Sequence, residues 1–119
     1  MRRRQGPSNE RDLIGGTLDM LILQVVSAGH VHGLQIAQEI ERRSDHALLV
    51  EQGSLYPALQ RLEERGWLVG EWGLSDANRR ARFYALTSLG RKQLKAESNR
   101  WLTLTRAVAL VMKPIRTED

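Results

Sequence analysis

Residues 51–66 read EQGSLYPALQRLEERG, and this segment predicts a short helix with signals at both ends. Ser54 is expected to cap the start, because its hydroxyl can accept a hydrogen bond from a free N–H of the first turn. Pro57 then falls in the first turn, where its missing N–H has no intrahelical partner to lose. Gly66 is expected to end the helix, because glycine adopts left-handed backbone angles at low cost.

The predicted helix has one apolar face and one polar face. Apolar residues recur at helical spacing and would pack on a core. They are Leu55, Ala58, Leu59 and Leu62. The opposite face carries the phenol of Tyr56, the amide of Gln60 and the guanidinium of Arg61, and Pro57 lies beside them. These groups suit the base edges of a DNA groove, and an ordinary amphipathic helix with a solvated face is the equal alternative.

Composition limits the class of protein. The chain has 119 residues, no cysteine and a formal net charge of +4. This length predicts one domain with at most an appendage, and it is sufficient to bury a core without disulfides. Without cysteine there is no thiol nucleophile and no Cys-based zinc site, and a reducing cytoplasm is the expected compartment. Neither a signal peptide nor a membrane span of roughly 18 apolar residues is expected.

The residues before position 51 predict an arm and two helices. Residues 1–12 are polar and basic, which predicts an arm that is either disordered or in contact with DNA. Its arginines are Arg2, Arg3 and Arg4. A first helix is expected over residues 17–28, with Asp19 in its first turn. Its apolar stripe comprises Leu18, Leu21, Ile22, Val25 and Val26. A second helix is expected over residues 34–43, followed by a loop with a short extended piece at 48–50.

Histidines raise the question of a metal site. His30 and His32 are separated by one residue in a short segment bounded by glycines, and His46 follows further along the chain. No third ligand stands at a diagnostic spacing, which favours structural or exposed histidines over zinc ligands. No metal and no cofactor are predicted.

After Gly66 the pattern changes from helical to extended. Residues 67–72 and 79–86 predict two strands around a turn-rich loop at 73–78. The loop and returning strand carry Asn78, Arg79, Arg80 and Arg82. Clustered arginines repel one another, so contact with DNA phosphates is favoured over a merely solvated hairpin. Two helices joined by a turn and followed by a basic hairpin predict a winged helix-turn-helix domain over residues 13–87.

Thr87 is expected to cap a last helix over residues 89–112, which Pro114 ends. Heptad-related apolar residues form a coiled-coil-like seam on this helix. They are Leu94, Leu104, Trp101, Val108 and Val111. At roughly 1.5 Å per residue the helix is ~35 Å long, too long for a small winged domain to cover. Residues 88–113 are therefore expected to dimerise, with a tail at 114–119, and the alternative is a helix folded back on its own domain. The fold class is mainly α with a small β-hairpin, α+β.

The chain resembles the PadR-like bacterial transcriptional regulators, in the short subgroup with a single helix after the wing. Residues 53–59 (GSLYPAL) are the most specific match. The other matching motifs are 16–19 (GTLD), 32–33 (HG), 61–63 (RLE), 66–68 (GWL), 82–84 (RFY) and 86–87 (LT). The resemblance implies a homodimeric repressor on a palindromic operator in double-stranded DNA, with helix 54–65 in the major groove and the wing on the backbone.

Two sets of site residues follow from the pattern and the resemblance together. The residues expected to bind DNA are Ser54, Tyr56, Pro57, Gln60, Arg61, Asn78, Arg79, Arg80 and Arg82. The residues expected at the dimer interface are Leu18, Leu21, Leu94, Trp101, Leu104, Val108 and Val111. Some relatives bind flat aromatic compounds between tryptophans at that interface. Trp101 is therefore the candidate for a ligand pocket and a small aromatic compound the candidate effector, the alternative being a tryptophan packed in the seam.

Two departures from the family pattern restrict what is transferred. Position 34 is Leu where many members carry Tyr, so a contact by that hydroxyl is not expected. Features of the larger subgroup, which has a long C-terminal domain, are not transferred either. A cytoplasmic protein, associated with the nucleoid when bound, is expected.

Other classes of function have less support. An enzyme is not expected, because the chain has no nucleophile-elbow glycine pattern and no phosphate-cradling loop. Glu63 and Glu64 are expected to be solvated. The rival function is a winged-helix module for protein–protein interaction, in which the face of Tyr56, Pro57 and Gln60 packs on a partner without specific DNA binding.

Overall fold

The computed structural model describes residues 6–115, with the side chains of residues 16–115. Its elements are α1 (Gly6–Val26), β1 (Val31–His32), α2 (Gly33–Arg43), α3 (Gln52–Glu64), β2 (Leu68–Leu74), β3 (Arg80–Leu86) and α4 (Ser88–Met112). The strands form one antiparallel sheet in the order β1-β3-β2. Four helices with a small three-stranded sheet confirm the predicted α+β class and the winged helix-turn-helix architecture.

The core lies where α1, α2, α3 and the sheet meet. Its largest fully buried side chains are Ile22, Leu23, Val26, Ile36, Leu55, Leu59, Leu62 and Leu68. The predicted apolar face of α3 is buried at all of its positions, which confirms the helical periodicity read from the sequence. Burying one large aliphatic side chain contributes roughly 1.5–3 kcal/mol, so this packing fixes which face of α3 is left outside.

α3 begins about one turn earlier than the sequence predicted. Its N-cap is Glu51, whose carbonyl accepts hydrogen bonds from the N–H groups of Ser54 and Leu55 at 3.0 and 2.9 Å. Ser54 therefore lies inside the helix and does not cap it, and Pro57 lies in the second turn. The missing N–H of Pro57 leaves the Gly53 carbonyl without its usual donor four residues later. The hydrogen bonds to the Glu51 carbonyl extend α3 beyond the start that the serine and proline signals predicted.

The C-terminal end of α3 agrees with the prediction. Gly66 has a φ of +80°. Its N–H donates to the Glu63 carbonyl at 3.0 Å, and the N–H of Trp67 donates to the Leu62 carbonyl at 3.0 Å. These paired bonds form a Schellman motif, which uses the left-handed glycine to turn the chain directly into β2.

α1 differs from the prediction at its start. It begins at Gly6, so residues 6–12 are helical and are not a flexible arm. Pro7 is tolerated in the first turn, and several of the residues that follow it are good helix formers. Residues 2–4, the arginines of the predicted arm, lie outside the described residues. Asp19 consequently lies within α1 and not in its first turn.

The segment after α1 contains a strand that the sequence did not predict. β1 pairs with β3 through Val31↔Tyr84 and His32↔Phe83. It is only two residues long, which is too short for an alternating pattern to be visible. The extended piece expected at residues 48–50 is not a strand. The loop there follows two positive-φ residues, Asp45 and His46.

The hairpin and the start of α4 confirm the predictions. β2 and β3 pair in register from Leu68↔Leu86 at the base to Leu74↔Arg80 near the tip. Thr87 caps α4, because its Oγ1 accepts a hydrogen bond from the Gly90 N–H at 2.9 Å. The same hydroxyl donates to the Gly66 carbonyl at 2.6 Å. The first turn of α4 therefore rests on the chain reversal that follows α3.

Only the first half of α4 packs on the winged domain. Leu94 is half-buried against the core, whereas Trp101 is 40% and Val111 82% exposed. α4 extends away from the domain, and the molecule measures 65 × 38 × 27 Å. The second half of α4 is therefore left largely uncovered by its own domain. Within residues 6–115, no helix is long and apolar enough to cross a membrane.

Candidate nucleic-acid interface

The outward face of α3 is open along its length. Tyr56 is 45% exposed, and Pro57 and Gln60 are exposed beside it. A Cβ atom added to Gly53 would meet no described atom within 4 Å, so nothing in the described chain covers the first turn of this face. Ser54 is half-buried and contributes less surface than its neighbours. α3 thus presents a phenol, a proline ring and an amide together, as the sequence predicted.

Gln60 is only weakly engaged within α3. Its Nε2 lies 3.4 Å from Oε2 of Glu64, one turn along the same exposed face. This distance is at the long end for a hydrogen bond, so the amide can exchange that partner for another. A glutamine amide matches the donor and acceptor pair of adenine in the major groove.

Arg61 does not join this face. Its Nη2 lies 2.8 Å from Oδ1 of Asp19 in α1, and Nη1 of Arg65 lies 3.8 Å from the other carboxylate oxygen. Asp19 is only 17% exposed at its side chain, so the pair is partly shielded from water. In the chain without DNA its guanidinium holds α3 to α1, and the DNA contact of Arg61 stays a prediction. No local pattern predicts Asp19 as the partner, because it lies 42 residues away along the chain.

Arg82 is likewise engaged inside the molecule. Its Nη2 lies 2.5 Å from Oε2 of Glu63 on α3. This hydrogen bond raises the pKa of the Arg82 guanidinium above its usual value. Glu63 is therefore half-buried and paired, which corrects the expectation that it is solvated; Glu64 is exposed as expected.

Tyr84, a buried residue of the wing, lies beside the pair of Arg82 and Glu63. Burial raises the pKa of the Tyr84 phenol above its usual value, and the negative charge of Glu63 adds to that effect. A hydrogen bond to Arg82 acts in the opposite direction. A Cβ atom on Gly70, which faces Tyr84 across the hairpin, would lie 2.7 Å from Nε of Arg82. The space above Gly70 thus lets the guanidinium cross the sheet and join the wing to α3.

The remaining wing arginines are exposed. The guanidinium of Arg80 lies 4.5 Å from the ring centroid of Trp72, and that of Arg82 lies 5.6 Å from the same centroid. Cation–π contact of this kind partly offsets the repulsion between the two guanidinium groups. The predicted cluster is therefore stabilised in part by its own chain, and the arginines left open to a partner are Arg79 and Arg80.

Asn78 shapes the tip of the wing. Its φ is +61°, a conformation that asparagine tolerates better than most residues. The N–H of Asn78 donates to the Ser75 carbonyl at 2.8 Å, and the Ser75 N–H donates to the Arg79 carbonyl at 2.8 Å. Asn78 is exposed, and its backbone conformation sets where Arg79 stands at the end of the hairpin.

His32 has a structural role, as the sequence favoured. The Nδ1 atom of His32 accepts a hydrogen bond from the backbone N–H of Gln35 at 3.4 Å, and the backbone N–H of His32 donates to Oε1 of Gln35 at 3.2 Å. This reciprocal capping box begins α2, and the imidazole packs edge-on against Phe83 with centroids 5.4 Å apart. Among the described residues no group of three or more His, Cys, Asp or Glu could hold a metal.

The residues expected at a dimer interface fall into three groups by their exposure. Leu18 is 6% exposed in the core of its own chain, so it has almost no surface left for a second copy. Leu21 and Leu94 are half-buried against that core. The exposed members all lie on the second half of α4. They are Trp101, Leu104, Val108 and Val111.

A groove of about 570 Å³ separates α1 from α4. Trp101 and Leu104 line it from α4, and Met20 and Leu23 line it from α1. Trp67 lies at its end, beneath the guanidinium of Arg65 at 5.2 Å from the ring centroid. Trp101 therefore lines a cavity, as the pocket hypothesis requires, and it lies on the exposed seam as well.

Comparisons with known proteins agree with this geometry. A model described as the transcriptional regulator PadR-like family matches residues 22–96. The chain is 38% identical over 87 residues to the transcriptional regulator Rv3488 of Mycobacterium tuberculosis, over 73% of this chain and 78% of that protein. A solved transcriptional regulator from Clostridium thermocellum has a TM-score of 0.77 at 26% identity, with 86% of this chain and 99% of that chain covered.

A PadR family transcriptional regulator from Eggerthella lenta has a TM-score of 0.72 at 27% identity, and 92% of this chain and 93% of that chain are covered. The family match runs from the last turns of α1 into the first half of α4, so it includes α3 and the whole wing. The chain belongs to the PadR-like family of DNA-binding transcriptional regulators.

Proposed function

We propose that this regulator is a repressor that binds a palindromic operator as a homodimer, with α3 in the major groove and the wing on the phosphate backbone. The observation that carries the proposal is the division of α3 into a fully buried apolar face and an open polar face. An open helix face beside a basic hairpin is the arrangement with which winged helix-turn-helix proteins read DNA.

The polar groups of α3 are assigned to base edges. Gln60 is the main candidate, because a glutamine can make a bidentate contact with adenine. Tyr56 and Pro57 lie on the same exposed face and would contact the same groove. Ser54 is half-buried and is assigned a minor contact.

The wing is assigned to phosphates. Arg79 and Arg80 are exposed and would neutralise backbone charge, which positions the protein without reading sequence. Asn78 places them through the turn that it forms. Arg61 and Arg82 would contact DNA by exchanging the carboxylates of the same chain that hold both guanidinium groups.

The exposed seam of α4 supports a homodimer. Large apolar side chains at heptad spacing are left uncovered by their own chain, and a second copy of α4 with part of α1 would bury them. A two-fold pair places two copies of α3 about one turn of B-DNA apart, roughly 34–36 Å, and so requires an inverted repeat.

The groove beside Trp101 supports a small aromatic effector. Indole rings at two positions, Trp67 and Trp101, line it together with aliphatic side chains. A flat aromatic compound there would lie between α1 and α4, the helices on which the proposed dimer depends, and its binding would release the repressor. The proposed location is the cytoplasm, with the protein on the nucleoid when bound.

Recovery of genomic fragments by the purified protein tests this proposal. We expect sequencing of the fragments to return an inverted repeat, and we expect a duplex carrying that repeat to bind at least 10³ times more tightly than a scrambled duplex, the order of magnitude typical of specific regulators. Fragments without a common repeat, or equal affinity for the two duplexes, would contradict it. A protein–protein interaction module would show no binding to either duplex at low salt.

A further inference from the structure

The ring of Tyr56 lies directly on the backbone of α2. A Cβ atom built on Gly33 would stand 2.9 Å from Cε1 of Tyr56, and 3.4 Å from both Cζ and the hydroxyl oxygen. Non-bonded carbon atoms prefer about 3.5–4.0 Å, so any side chain at position 33 would push against the phenol. Gly33 itself is buried under this ring.

The glycine at position 33 is not required by its backbone. The glycines with positive φ in the described residues are Gly29 and Gly66, and Gly33 is not among them. Gly33 is the first residue of α2, where alanine would be the better helix former. The reason for glycine at position 33 is therefore that the Tyr56 ring occupies the space a side chain would need.

The backbone on which Tyr56 lies is held from two sides. The capping box between His32 and Gln35 fixes the first turn of α2. The pairing of His32 with Phe83 ties the preceding residue to the sheet. On the other side, Leu55 and Ala58 are fully buried and fix the turn of α3 that carries Tyr56. The ring is thus confined on one face, while nearly half of its surface remains exposed.

We propose that Gly33 is a positioning residue for DNA recognition, which holds Tyr56 in one orientation on the open face of α3. This inference rests on the proposed function. A side chain that is ordered before binding does not have to be ordered at the interface, and such ordering typically weakens binding by roughly 2- to 10-fold per side chain. An alanine at position 33 would displace the ring and remove this advantage.

A double-mutant cycle with Gly33→Ala and Tyr56→Ala separates positioning from a general effect on the fold. The probes are the duplex with the recovered inverted repeat and a scrambled duplex of the same composition. We expect G33A to weaken repeat binding roughly 2- to 10-fold and to leave scrambled binding unchanged. In the Y56A background, G33A should change repeat binding by less than about twofold. Gln38→Ala, at an exposed position of α2, is the matched control and should bind like the wild type.

Equal losses from G33A in both backgrounds, or no loss at all, would overturn the role of Gly33 while leaving the proposed function intact. A wild-type protein that does not distinguish the two duplexes would overturn both the role of Gly33 and the proposed function.

A measurement without DNA tests the role of Gly33 independently of the proposed function. Because the chain has only two tyrosines, fluorotyrosine labelling gives signals for Tyr56 and Tyr84 alone, and Tyr56→Phe assigns them.

We expect G33A to shift the Tyr56 signal more than the Tyr84 signal. An unmoved Tyr56 signal would show that the ring does not depend on Gly33. If G33A alone fails to fold, the contact between position 33 and Tyr56 is tested by whether the G33A/Y56A double variant folds. Recovery of a folded double variant supports the contact, and a double variant that also fails to fold contradicts it.

Discussion

Replacing Gly90 with alanine tests how α4 is joined to the winged domain. An ideal Cβ atom at position 90 would lie 2.1 Å from the carbonyl oxygen of Trp67 and 3.2 Å from Cδ1 of Leu86. Non-bonded heavy atoms need roughly 1 Å more than the shorter of these distances. The obstacle is main chain, which cannot rotate out of the way as a flexible side chain can. The first turn of α4 must therefore move.

Hydrogen bonds at this junction depend on the present position of α4. The Thr87 N–H donates to the Trp67 carbonyl at 3.1 Å, and the Thr87 hydroxyl joins Gly66 to Gly90 at 2.6 and 2.9 Å. Overpacking costs about 1–3 kcal/mol, and each weakened hydrogen bond about 1 kcal/mol. The higher helix propensity of alanine offsets about 1 kcal/mol. With all three hydrogen bonds weakened, we expect G90A to lower the free energy of unfolding by about 3–5 kcal/mol, and Tm by roughly 12–20 °C.

Urea and thermal unfolding followed by circular dichroism, at one fixed protein concentration, measure this effect. Gly16→Ala is the matched control, because a Cβ atom there meets no described atom within 4 Å. It should leave stability unchanged or raise it by up to about 1 kcal/mol. A G90A protein as stable as the wild type would refute the tight junction between α4 and the residues after α3.

Three further predictions concern the interface and its supports. Arg80→Ala should weaken binding to repeat and scrambled duplexes alike and lower the salt slope by about one, whereas Gln60→Ala should lower the binding free energy by about 1–3 kcal/mol on the repeat alone. Fluorescence anisotropy over a salt series measures both effects. Identical behaviour of the two variants would contradict the division of roles. Asp19→Asn should lower the free energy of unfolding by about 0.5–1 kcal/mol in urea, because it breaks the 2.8 Å pair with Arg61; an unchanged midpoint would show that the pair contributes nothing. The raised pKa of Tyr84 means that the folded state keeps this phenol proton at a pH where the unfolded state has lost it. Stability should therefore fall as pH rises above about 10, and Tyr84→Phe should remove that part of the slope in urea titrations at pH 9–11.

Local sequence signals predicted the elements that local physics decides. The spacing of Leu55, Ala58, Leu59 and Leu62 predicted the buried face of α3, because a helix buries one stripe of its surface. Gly66 and Thr87 predicted helix ends correctly, since their effects depend on neighbouring backbone groups. The heptad pattern of α4 predicted a long helix with an uncovered apolar seam.

Long-range partners were invisible to those signals. Arg61 and Arg82 are 42 and 19 residues from the carboxylates that hold them, so no spacing rule connects either pair. Ser54 looked like a cap because the local motif fits, but the Glu51 carbonyl accepts the first helical hydrogen bonds, so α3 begins at Gln52. The packing of Tyr56 on Gly33 joins two helices across the turn between them, and only the fold brings them together.

The mass of the DNA complex is the most direct test of a paired protein on a single duplex. In sedimentation equilibrium with one repeat-bearing duplex, we expect two chains of 13.5 kDa per duplex and a dimer without DNA. Leu104→Asp, which places a charge in the exposed seam, should give monomers that no longer bind the repeat tightly. A wild-type chain that remains at 13.5 kDa, or that binds as one chain per duplex, would contradict the proposed mode of recognition.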